Sequence, residues 1–271
     1  MNKTILITGA SSGIGKATAK LFQAKGWNVI ATMRTPEKET ELTQLDNIFV
    51  TRLDVLDSGS ITSAVAQGID KFGKIDVLLN NAGYGAYGLL EATPMEKIER
   101  QFGVNVFGLL ETTKAILPHF RANKSGVIVN ISSIGGKMTF PLGTLYHGTK
   151  FAVEGLSEAL HFELEAIGVK VKIVEPGMIK TDFGGRSFDF SNDTTLTEYQ
   201  AMVEKLMAAF GAAAHGGSSP DVVAEVILQA ATDGTDQLRY TAGEDAKVFM
   251  ANRKAADDAT FIQGVKAQMG L

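Results

Sequence analysis

Three side chains in the middle of the chain have the types and the spacing of a proton-transfer site. Tyr146 and Lys150 are four residues apart, so on a helix the phenol and the ammonium lie on one face, one turn apart. A nearby ammonium favours the phenolate and lowers the pKa of the phenol toward the pH at which proton transfer is efficient. Ser133 can then hold the reacting oxygen through a hydrogen bond. Because a tyrosine and a lysine at this spacing are most often an ordinary surface pair, the assignment depends on the motifs around them.

A glycine-rich turn near the amino terminus is suited to a dinucleotide. The letters TGASSGIG, residues 8–15, follow an apolar run directly and precede a helix-like segment that begins at Lys16. Glycine lets the backbone turn tightly and approach a pyrophosphate, whose charge the N-terminus of the next helix stabilises. Turns of small residues also join strands to helices where nothing binds, so the turn alone is weak evidence, and its position between a strand and a helix makes it a moderate signal. Combined with the proton-transfer site, it indicates an oxidoreductase.

The elements that position these residues follow one pattern along the chain. Short apolar runs rich in β-branched residues alternate with longer helix-like segments, which is typical of βαβ units and a parallel sheet. We predict an α/β fold: a Rossmann-type doubly wound parallel sheet of about seven strands, with helices on both faces, in a single catalytic domain over residues 1–271. The predicted strands cover residues 4–8, 28–33, 48–53, 75–80, 126–131, 171–175 and 237–240.

Two helix starts are predicted from capping signals. Thr93 has the character of an N-cap, followed by Pro94 in the first turn and Glu96 as the acid of a capping box. Ser219 and Pro220 repeat the first two of these signals.

Composition excludes several classes of function. With 45% hydrophobic residues and a net charge of −4, the chain has an ample core and no basic field for nucleic acid. The absence of cysteine excludes disulfides and thiolate chemistry, and the four histidines lack metal-ligand spacing, so no metal site is predicted. No run of 18 uncharged apolar residues occurs, and the first strand begins too close to Met1 to leave room for a signal peptide. A cytoplasmic protein with no membrane span is expected.

A series of motifs in order resembles the classical short-chain dehydrogenase/reductase family. It consists of the glycine turn, NNAG at residues 80–83, Asn105, Ser133, YHGTK at residues 146–150 and PG at residues 176–177. The resemblance covers roughly residues 3–182, and the complete series is far more specific than any one motif. The letters KFAVEG and LRYTAGEDA look most like the branch that includes 17β-hydroxysteroid and retinol dehydrogenases.

The resemblance implies a role for each member of a catalytic set. Tyr146 is implied as the general acid of carbonyl reduction and the general base of alcohol oxidation, and Lys150 stabilises its phenolate and binds the nicotinamide ribose. Ser133 holds the carbonyl oxygen, while Asn105 holds a water that connects the lysine to solvent. Apart from the family, Asn105 is equally well a helix residue with a local backbone bond. His147, where relatives carry a small residue, is interpreted as a wall residue rather than a base.

The resemblance also implies the nucleotide contacts. Asp54 is expected to accept from the adenine amino group, with the backbone of Val55 facing the base, although Asp54 is equally suited to capping a turn. Residues 81–83, which could otherwise form only a tight turn after the fourth strand, are implied to pass beside the adenosine ribose. The segment from Pro176 is implied to hold the nicotinamide carboxamide. The full implied set is Gly9, Ser11, Ser12, Gly13, Ile14, Gly15, Arg34, Asp54, Val55, Asn81, Ala82, Gly83, Tyr146, Lys150, Pro176, Gly177, Ile179 and Thr181.

The choice between the two nicotinamide cofactors is predicted from Arg34. It stands at the end of the second predicted strand, where an enzyme that selects NAD usually presents an acid to the ribose hydroxyls. A guanidinium offers a planar donor fork to a 2′-phosphate, and no carboxylate stands at the strand end to repel one. We therefore predict NADP(H) in preference to NAD(H). The alternative is an exposed loop arginine, and Ser12 occupies the place of a second basic residue common in the family.

Residues 182–219 are predicted to form a lid on the substrate side. Apolar residues at helical spacing indicate an amphipathic helix that either excludes water from the reacting carbon or belongs to the core. The resemblance places further apolar residues near this helix. Together, the two sets of apolar residues predict a hydrophobic ketone, aldehyde or secondary alcohol as substrate. The helix residues are Leu196, Tyr199, Met202, Val203, Leu206, Met207 and Phe210, and the others are Met138, Phe140, Leu142, Phe183, Phe188 and Phe190.

Two classes of function remain at this point. The favoured one is an NADP(H)-dependent carbonyl reductase or alcohol dehydrogenase, because the implied catalytic set is complete. The other is a nucleotide-sensing or scaffold protein of the same fold without turnover. A homodimer or homotetramer is also expected from the family, with Phe151, Leu156, Leu160 and Phe162 facing either a partner or their own sheet.

Overall fold

Nine strands and nine helices are present in the computed structural model, which describes residues 2–181, 185, 187–213 and 216–271. The strands are β1 (Thr4–Ile7), β2 (Asn28–Met33), β3 (Ile48–Arg52), β4 (Val77–Asn80), β5 (Gly85–Gly88), β6 (Gly126–Ile131), β7 (Val169–Pro176), β8 (Phe188–Ser191) and β9 (Arg239–Ala242). The helices are α1 (Gly13–Ala24), α2 (Ser58–Phe72), α3 (Met95–Phe102), α4 (Gly108–Asn123), α5 (Thr144–Glu165), α6 (Thr197–Ala213), α7 (Pro220–Thr232), α8 (Glu244–Ala255) and α9 (Asp258–Met269).

Seven of these strands form one parallel sheet. Its order is β3-β2-β1-β4-β6-β7-β9, so the chain winds outward in both directions from the centre. The sheet is apolar on both faces: one core cluster includes Phe22 of α1 and Ile227 of α7, and the other includes Ile61 of α2 and Phe120 of α4. The predicted doubly wound α/β fold with about seven strands is confirmed.

The predicted strand positions are close to the observed ones. The ranges 28–33 and 126–131 match β2 and β6 at both ends, while β7 begins two residues earlier and β9 two residues later than predicted. Both capping predictions identified real helices. Ser219 is the N-cap of α7 with Pro220 in its first turn, but α3 begins at Met95 with Pro94 as N-cap. Thr93 as N-cap is therefore wrong, because its hydroxyl donates to the Leu89 carbonyl oxygen at 2.7 Å.

A second, small sheet was not predicted. Strands β5 and β8 pair in parallel, with Gly85 opposite Phe188 and Gly88 opposite Ser191. Lys97 of α3 holds β8 against that helix, because its ammonium bonds the Asp189 carboxylate at 2.6 Å. The sheet therefore ties part of the predicted lid segment to the chain that follows NNAG.

Helices α6, α8 and α9 follow the parallel sheet's later strands. Helix α6 contributes Val203 and Leu206 to a cluster with Leu142, and α8 contributes Ala246 to another with Met138. None of the described helices offers the length and apolarity that a bilayer crossing requires.

Candidate active site

The glycine turn lies between β1 and α1, at the carboxyl edge of the sheet. Gly9 and Gly13 have φ angles of +70° and +53°, which a residue with a Cβ rarely adopts. A Cβ on Gly15 would lie 2.4 Å from the Gly9 carbonyl oxygen, so the turn closes only with glycine there. Ser12 is the N-cap of α1, Ser11 is exposed, and Ile14 packs against the core. The turn thus has the tight backbone expected of a phosphate cradle.

Strand β4 ends against the same turn. The side-chain amide of Asn81 donates to the carbonyl oxygens of Thr8 and Gly9, at 2.9 and 3.1 Å. The Thr8 hydroxyl accepts from the backbone N–H groups of Asn81 and Ala82, each at 3.0 Å. Asn81 therefore braces the glycine turn with its side chain, a contact that sequence reasoning missed. Gly83 follows on the exposed side.

The residues around the turn fit a dinucleotide. The first turn of α1 contains no acidic side chain, so its N-terminus favours an anionic group. Glycine at positions 9 and 15 lets the turn pack closely, since an added Cβ would lie 3.0 Å from Cα of Ala82 and 2.4 Å from the Gly9 carbonyl oxygen, respectively. The cradle therefore has the electrostatics and the tight backbone that the implied cofactor requires.

The predicted adenosine-side residues lie at the ends of neighbouring strands. Arg34 directly follows β2 and is exposed. Asp54 follows β3 and is half-buried, and one of its carboxylate oxygens accepts from the Leu56 N–H at 3.0 Å. The structure thus shows the turn-capping role that was left open for Asp54. Val55 packs directly against Gly108 at the start of α4.

Tyr146 and Ser133 meet across the loop between β6 and α5. Their side chains are hydrogen-bonded to each other, and both residues are buried. Burial raises the pKa of Tyr146, and the bond from Ser133 offsets part of that rise. The Ser133 oxygen also accepts from the Gly135 N–H at 3.0 Å, which fixes its direction. Ser132, by contrast, is buried away from this pair against Gly136.

Lys150 lies close to the ring of Tyr146. The Lys150 ammonium is 5.8 Å from the centroid of the Tyr146 ring and donates to the Ile131 carbonyl oxygen at 2.9 Å. Burial lowers the pKa of Lys150 to about 8, and the carboxylate of Glu154 opposes that fall. The expected net lowering of the Tyr146 pKa is wrong for this structure, because burial of the phenol raises the pKa by more than neighbouring groups lower it.

Asn105 lies in a turn of π-helix that joins α3 to α4. Residues Gly103–Phe107 form this turn, a wider winding that often marks a functional position. The Asn105 amide donates to the Tyr84 carbonyl oxygen at 2.9 Å and to the Thr149 hydroxyl at 3.1 Å, and it accepts from the Tyr84 N–H at 3.1 Å. The alternative of a local backbone bond is therefore wrong. Thr149 in turn donates to the Tyr146 carbonyl oxygen at 2.8 Å.

The segment after β7 approaches the glycine turn from the opposite side. A Cβ on Gly13 would lie 3.2 Å from the Thr181 methyl group. Asp245 of α8 accepts from the Met178 N–H at 2.7 Å, and the Lys180 N–H donates to the Ser218 carbonyl oxygen at 2.8 Å. Pro176 is buried, and Gly177 and Ile179 are half-buried. Asp245 thus holds this segment. Sequence reasoning missed this contact because Asp245 is far from the segment along the chain.

An aromatic wall extends from the tyrosine. Tyr87 of β5 stacks between Tyr146 and Phe188, and Phe210 of α6 meets its edge at 6.2 Å. Sequence reasoning missed Tyr87, although its position four residues after NNAG was a usable signal. Phe188 continues the stack to Phe190, with ring centroids 6.1 Å apart.

His147 supports the wall without facing a reacting atom. Its Nδ1 and Nε2 bond the Gly135 carbonyl oxygen at 2.9 Å and the Phe140 N–H at 3.0 Å, so the ring is neutral and fully engaged. Burial lowers the pKa of His147. These bonds hold the loop after β6 against α5.

The remaining predicted substrate-side residues separate into two groups. Met138 and Phe140 pack with Phe249 of α8, whereas Leu142, Leu196, Met202, Val203 and Leu206 form a cluster around α6. Tyr199 and Met207 are exposed, and the Tyr199 hydroxyl bonds the Glu91 carboxylate at 3.0 Å. Phe183 lies outside the described residues.

Comparison with known proteins decides the family. The family model described as short chain dehydrogenase matches residues 3–191. The chain belongs to the short-chain dehydrogenase/reductase family. The membership predicted from the motifs is confirmed, together with the likeness to the branch of steroid and retinol dehydrogenases. This short-chain dehydrogenase/reductase is accordingly an oxidoreductase.

Two relatives illustrate the match. An uncharacterized oxidoreductase of Schizosaccharomyces pombe is 49% identical over 244 residues, which cover 88% of this chain and 100% of the relative. The 3-ketodihydrosphingosine reductase of Bacteroides thetaiotaomicron is 44% identical over 179 residues, which cover 66% of this chain and 65% of that protein.

Solved structures agree over the whole short-chain dehydrogenase/reductase fold. A short-chain dehydrogenase from Streptomyces avermitilis has a TM-score of 0.84 at 35% identity, over 100% of this chain and 98% of its own. ElxO with NADP bound has a TM-score of 0.75 at 30% identity, over 92% and 100%. The 3-ketoacyl-(acyl-carrier-protein) reductase from Brucella melitensis, complexed with NADH, has a TM-score of 0.75 at 25% identity, over 89% and 96%. Both kinds of nicotinamide nucleotide therefore occur among the neighbours.

Proposed function

We propose that the protein is an NADP(H)-dependent oxidoreductase that transfers a hydride between nicotinamide and an apolar ketone, aldehyde or secondary alcohol. The observation that carries this proposal is the buried hydrogen bond between Ser133 and Tyr146, with Lys150 one helical turn below the phenol. NADP(H), when bound, supplies or accepts the hydride. The chain's own residues orient the carbonyl and move the proton.

Tyr146 is the proton donor of the reductive direction. Burial raises the pKa of Tyr146, so at neutral pH the phenol carries the proton that a carbonyl oxygen needs as negative charge develops on it. The Ser133 hydroxyl, fixed by the Gly135 N–H, donates to the same oxygen. Once the phenol has lost its proton, the Lys150 ammonium stabilises the buried phenolate. Asn105 is proposed as the fourth member, beside the tyrosine's helix.

Cofactor contacts are assigned to the carboxyl edge of the sheet. The glycine turn takes the pyrophosphate, Asp54 and Val55 take the adenine side, residues 81–83 the ribose, and the segment from Pro176 to Thr181 the carboxamide. Preference for NADP(H) is supported by Arg34, which is exposed directly after β2 with no acid at the strand end.

An apolar substrate is supported by the wall beside Tyr146. Tyr87, Phe188 and Phe210 present aromatic surface that excludes water from the reacting carbon. The name of the relative from Bacteroides thetaiotaomicron indicates a ketone reductase, which is the same class of reaction. Helix α6, which carries Phe210, is proposed as the lid.

A homodimer or homotetramer is proposed from exposed apolar side chains on neighbouring helices. Phe151 and Phe162 of α5 are 47% and 71% exposed, and Phe107, before α4, is 60% exposed. Leu160 instead packs into its own core, and Leu156 is half-buried. Sedimentation at micromolar concentration tests the proposal, and a monomer there refutes it.

The function is tested by separating binding from chemistry. Purified protein is titrated with NADPH and NADH by nicotinamide fluorescence, and the tighter nucleotide is then supplied with a panel of apolar ketones and aldehydes. Tight NADPH binding with oxidation on any panel member supports the reductase. Binding without turnover across the panel supports the nucleotide-sensing alternative, and binding of neither nucleotide overturns both.

A further inference from the structure

Two buried carboxyl groups, one of which acts on Lys150, take no part in the proposed mechanism. Glu154 follows Lys150 by four residues on α5, so the two side chains are one helical turn apart. Glu175 comes from β7, next to the end of the strand. Their exposed fractions are 4% and 1%, which is rare for glutamate and requires compensation by nearby groups.

One guanidinium serves both carboxyl groups. Arg239 of β9 donates from Nε to Oε2 of Glu154 at 2.9 Å, and the same Nε lies 3.7 Å from Oε1 of Glu175. The other end of the guanidinium bonds the exposed Glu158. Thr241 donates weakly to Oε2 of Glu175, at 3.4 Å. A single arginine thus faces three acids, two of which are out of contact with water.

The buried oxygens around Glu154 lack donors. Among the described residues, Oε1 of Glu154, Oε1 of Glu175 and the hydroxyl of Ser132 have no hydrogen-bond partner. Ser132 and Glu154 approach each other at Gly136, where an added Cβ would meet the Ser132 hydroxyl at 2.6 Å and Cγ of Glu154 at 2.9 Å. Unpaired buried acceptors are costly, but a protonated carboxyl gains an O–H that donates to one of them.

The charges around Glu154 and Glu175 favour a state in which one of the two carboxyl groups is protonated. Arg239, Lys137 and Lys150 are the cations that interact with the two carboxyl groups, and Glu158 adds a further negative charge beside Arg239. Two like charges in a dry site repel each other, so one carboxyl tends to remain neutral. Burial, and then the charge of Glu154, raises the pKa of Glu175 to about 7.

We propose that Glu175 holds a proton beside the charged Glu154, and that the two act together as a positioning pair for Lys150, keeping its ammonium charged in a dry site. The pair's single negative charge lies one turn from the ammonium, on the side opposite in sequence to Tyr146. Its role in catalysis rests on the proposed function, whereas the proton on Glu175 does not.

The proton on Glu175 is tested by ¹³C NMR of glutamate-labelled protein without nucleotide, over a pH titration. One carboxyl resonance is expected to titrate near neutral pH and to disappear in Glu175→Gln. In Glu154→Gln it should move to lower pH, because the repulsion is removed while the burial of Glu175 remains. Glu158→Gln is the matched control, since Glu158 bonds the same arginine from the surface, and it should leave the resonance in place. A wild-type protein whose glutamates all titrate in the ordinary acidic range overturns the proton on Glu175, and so does a neutral titration that survives in Glu175→Gln.

The effect on Lys150 is read in the same samples from the ¹³Cε resonance of the lysine. In Glu154→Gln its pKa is expected to fall by about one further unit, because an opposite charge nearby is lost. For carbonyl reduction, the alkaline limb of the kcat profile should move to lower pH by the same amount, with little change in KM. An unchanged Lys150 titration in folded Glu154→Gln overturns the positioning role. The NMR measurements need no turnover. An inactive wild-type enzyme would therefore refute the proposed function, while the NMR results would still decide this proposal. Glu175→Gln has the shape of the neutral acid and serves if Glu154→Gln does not fold.

Discussion

The rings of Tyr87 and Tyr146 stack with their centroids 5.4 Å apart and their planes 29° from parallel. Tyr87 makes the same kind of contact with Phe188, at 5.3 Å and 29°. The proposed proton donor is therefore the end of an aromatic stack that continues into the small β5–β8 sheet. A substrate that contacts Tyr87 therefore lies beside the phenol of Tyr146.

Replacing Tyr87 by alanine is expected to raise KM for apolar carbonyl substrates by roughly 3- to 10-fold, the equivalent of one aromatic pair. Tyr87→Phe is the matched control, because it keeps the ring and should keep KM near the wild-type value. Steady-state kinetics with the best substrate of the panel measure both. Equal KM values in the alanine variant and the wild type would remove Tyr87 from the substrate wall.

Tyr146→Phe should bind NADPH as the wild type does and lose turnover by ~10²-fold or more, the usual contribution of general acid catalysis. The phenylalanine ring retains the stack on Tyr87, so a loss of activity reports the missing hydroxyl. Fluorescence titration and single-turnover rates measure the two effects. Turnover within a few-fold of wild type would reject the assigned role.

Gly15→Ala is expected to weaken nucleotide binding and lower the free energy of unfolding, because its Cβ would lie 2.4 Å from the Gly9 carbonyl oxygen. Gly155→Ala is the control, since a Cβ at Gly155 meets nothing within 4 Å and α5 should gain about 0.5–1 kcal/mol from the better helix former. Denaturant unfolding with NADPH titration compares them. Equal stability and affinity in the two variants would contradict the tight turn.

Arg34→Asp should shift the preference toward NADH, because the carboxylate repels a 2′-phosphate and accepts from ribose hydroxyls. Lys38→Asp makes the same charge change at another exposed position of the following loop and should alter the preference much less. The ratio of NADPH to NADH dissociation constants is the readout. A ratio that is the same in Arg34→Asp and wild type would exclude Arg34 from cofactor selection.

The free energy of unfolding should decrease as the pH is lowered, because His147 takes up a proton. Burial lowers the pKa of His147 below its ordinary value of 6.5, so the folded state holds it neutral while the unfolded chain takes up a proton below that pH. Its contribution is complete above pH 6.5 and is lost as the pH falls toward the folded pKa. His147→Gln should therefore be less stable than wild type at about pH 7.5, by a margin that shrinks toward about pH 5.5.

His119→Gln is the control for that measurement, because the pKa of His119 is also lowered by burial while the His147 bonds remain intact. The His119→Gln variant should retain the pH-dependent contribution of His147 to the free energy of unfolding. A stability difference between wild type and His147→Gln that stays constant over this pH range would contradict the neutral, doubly bonded ring.

The sequence alone determined the sheet and the order of the motifs. Strands β2 and β6 were predicted to the residue, because strands covered on both faces are predominantly apolar and these two end where the polar residues Arg34 and Ser132 begin. The family and the positions of Ser133, Tyr146 and Lys150 followed from spacing along short segments. Their catalytic roles, like those of the nucleotide contacts, stay predictions.

Only the tertiary structure decided which groups meet. Asn105 bonds the backbone of Tyr84, Lys150 bonds the Ile131 carbonyl oxygen, and Glu154 shares Arg239 with Glu175. Burial also reversed the expected direction of the Tyr146 pKa shift, since desolvation acts through all surrounding atoms and not through one charge four residues away. Periodicity and capping are properties of neighbouring residues, whereas these contacts join segments 19 to 85 residues apart and form only when the sheet closes.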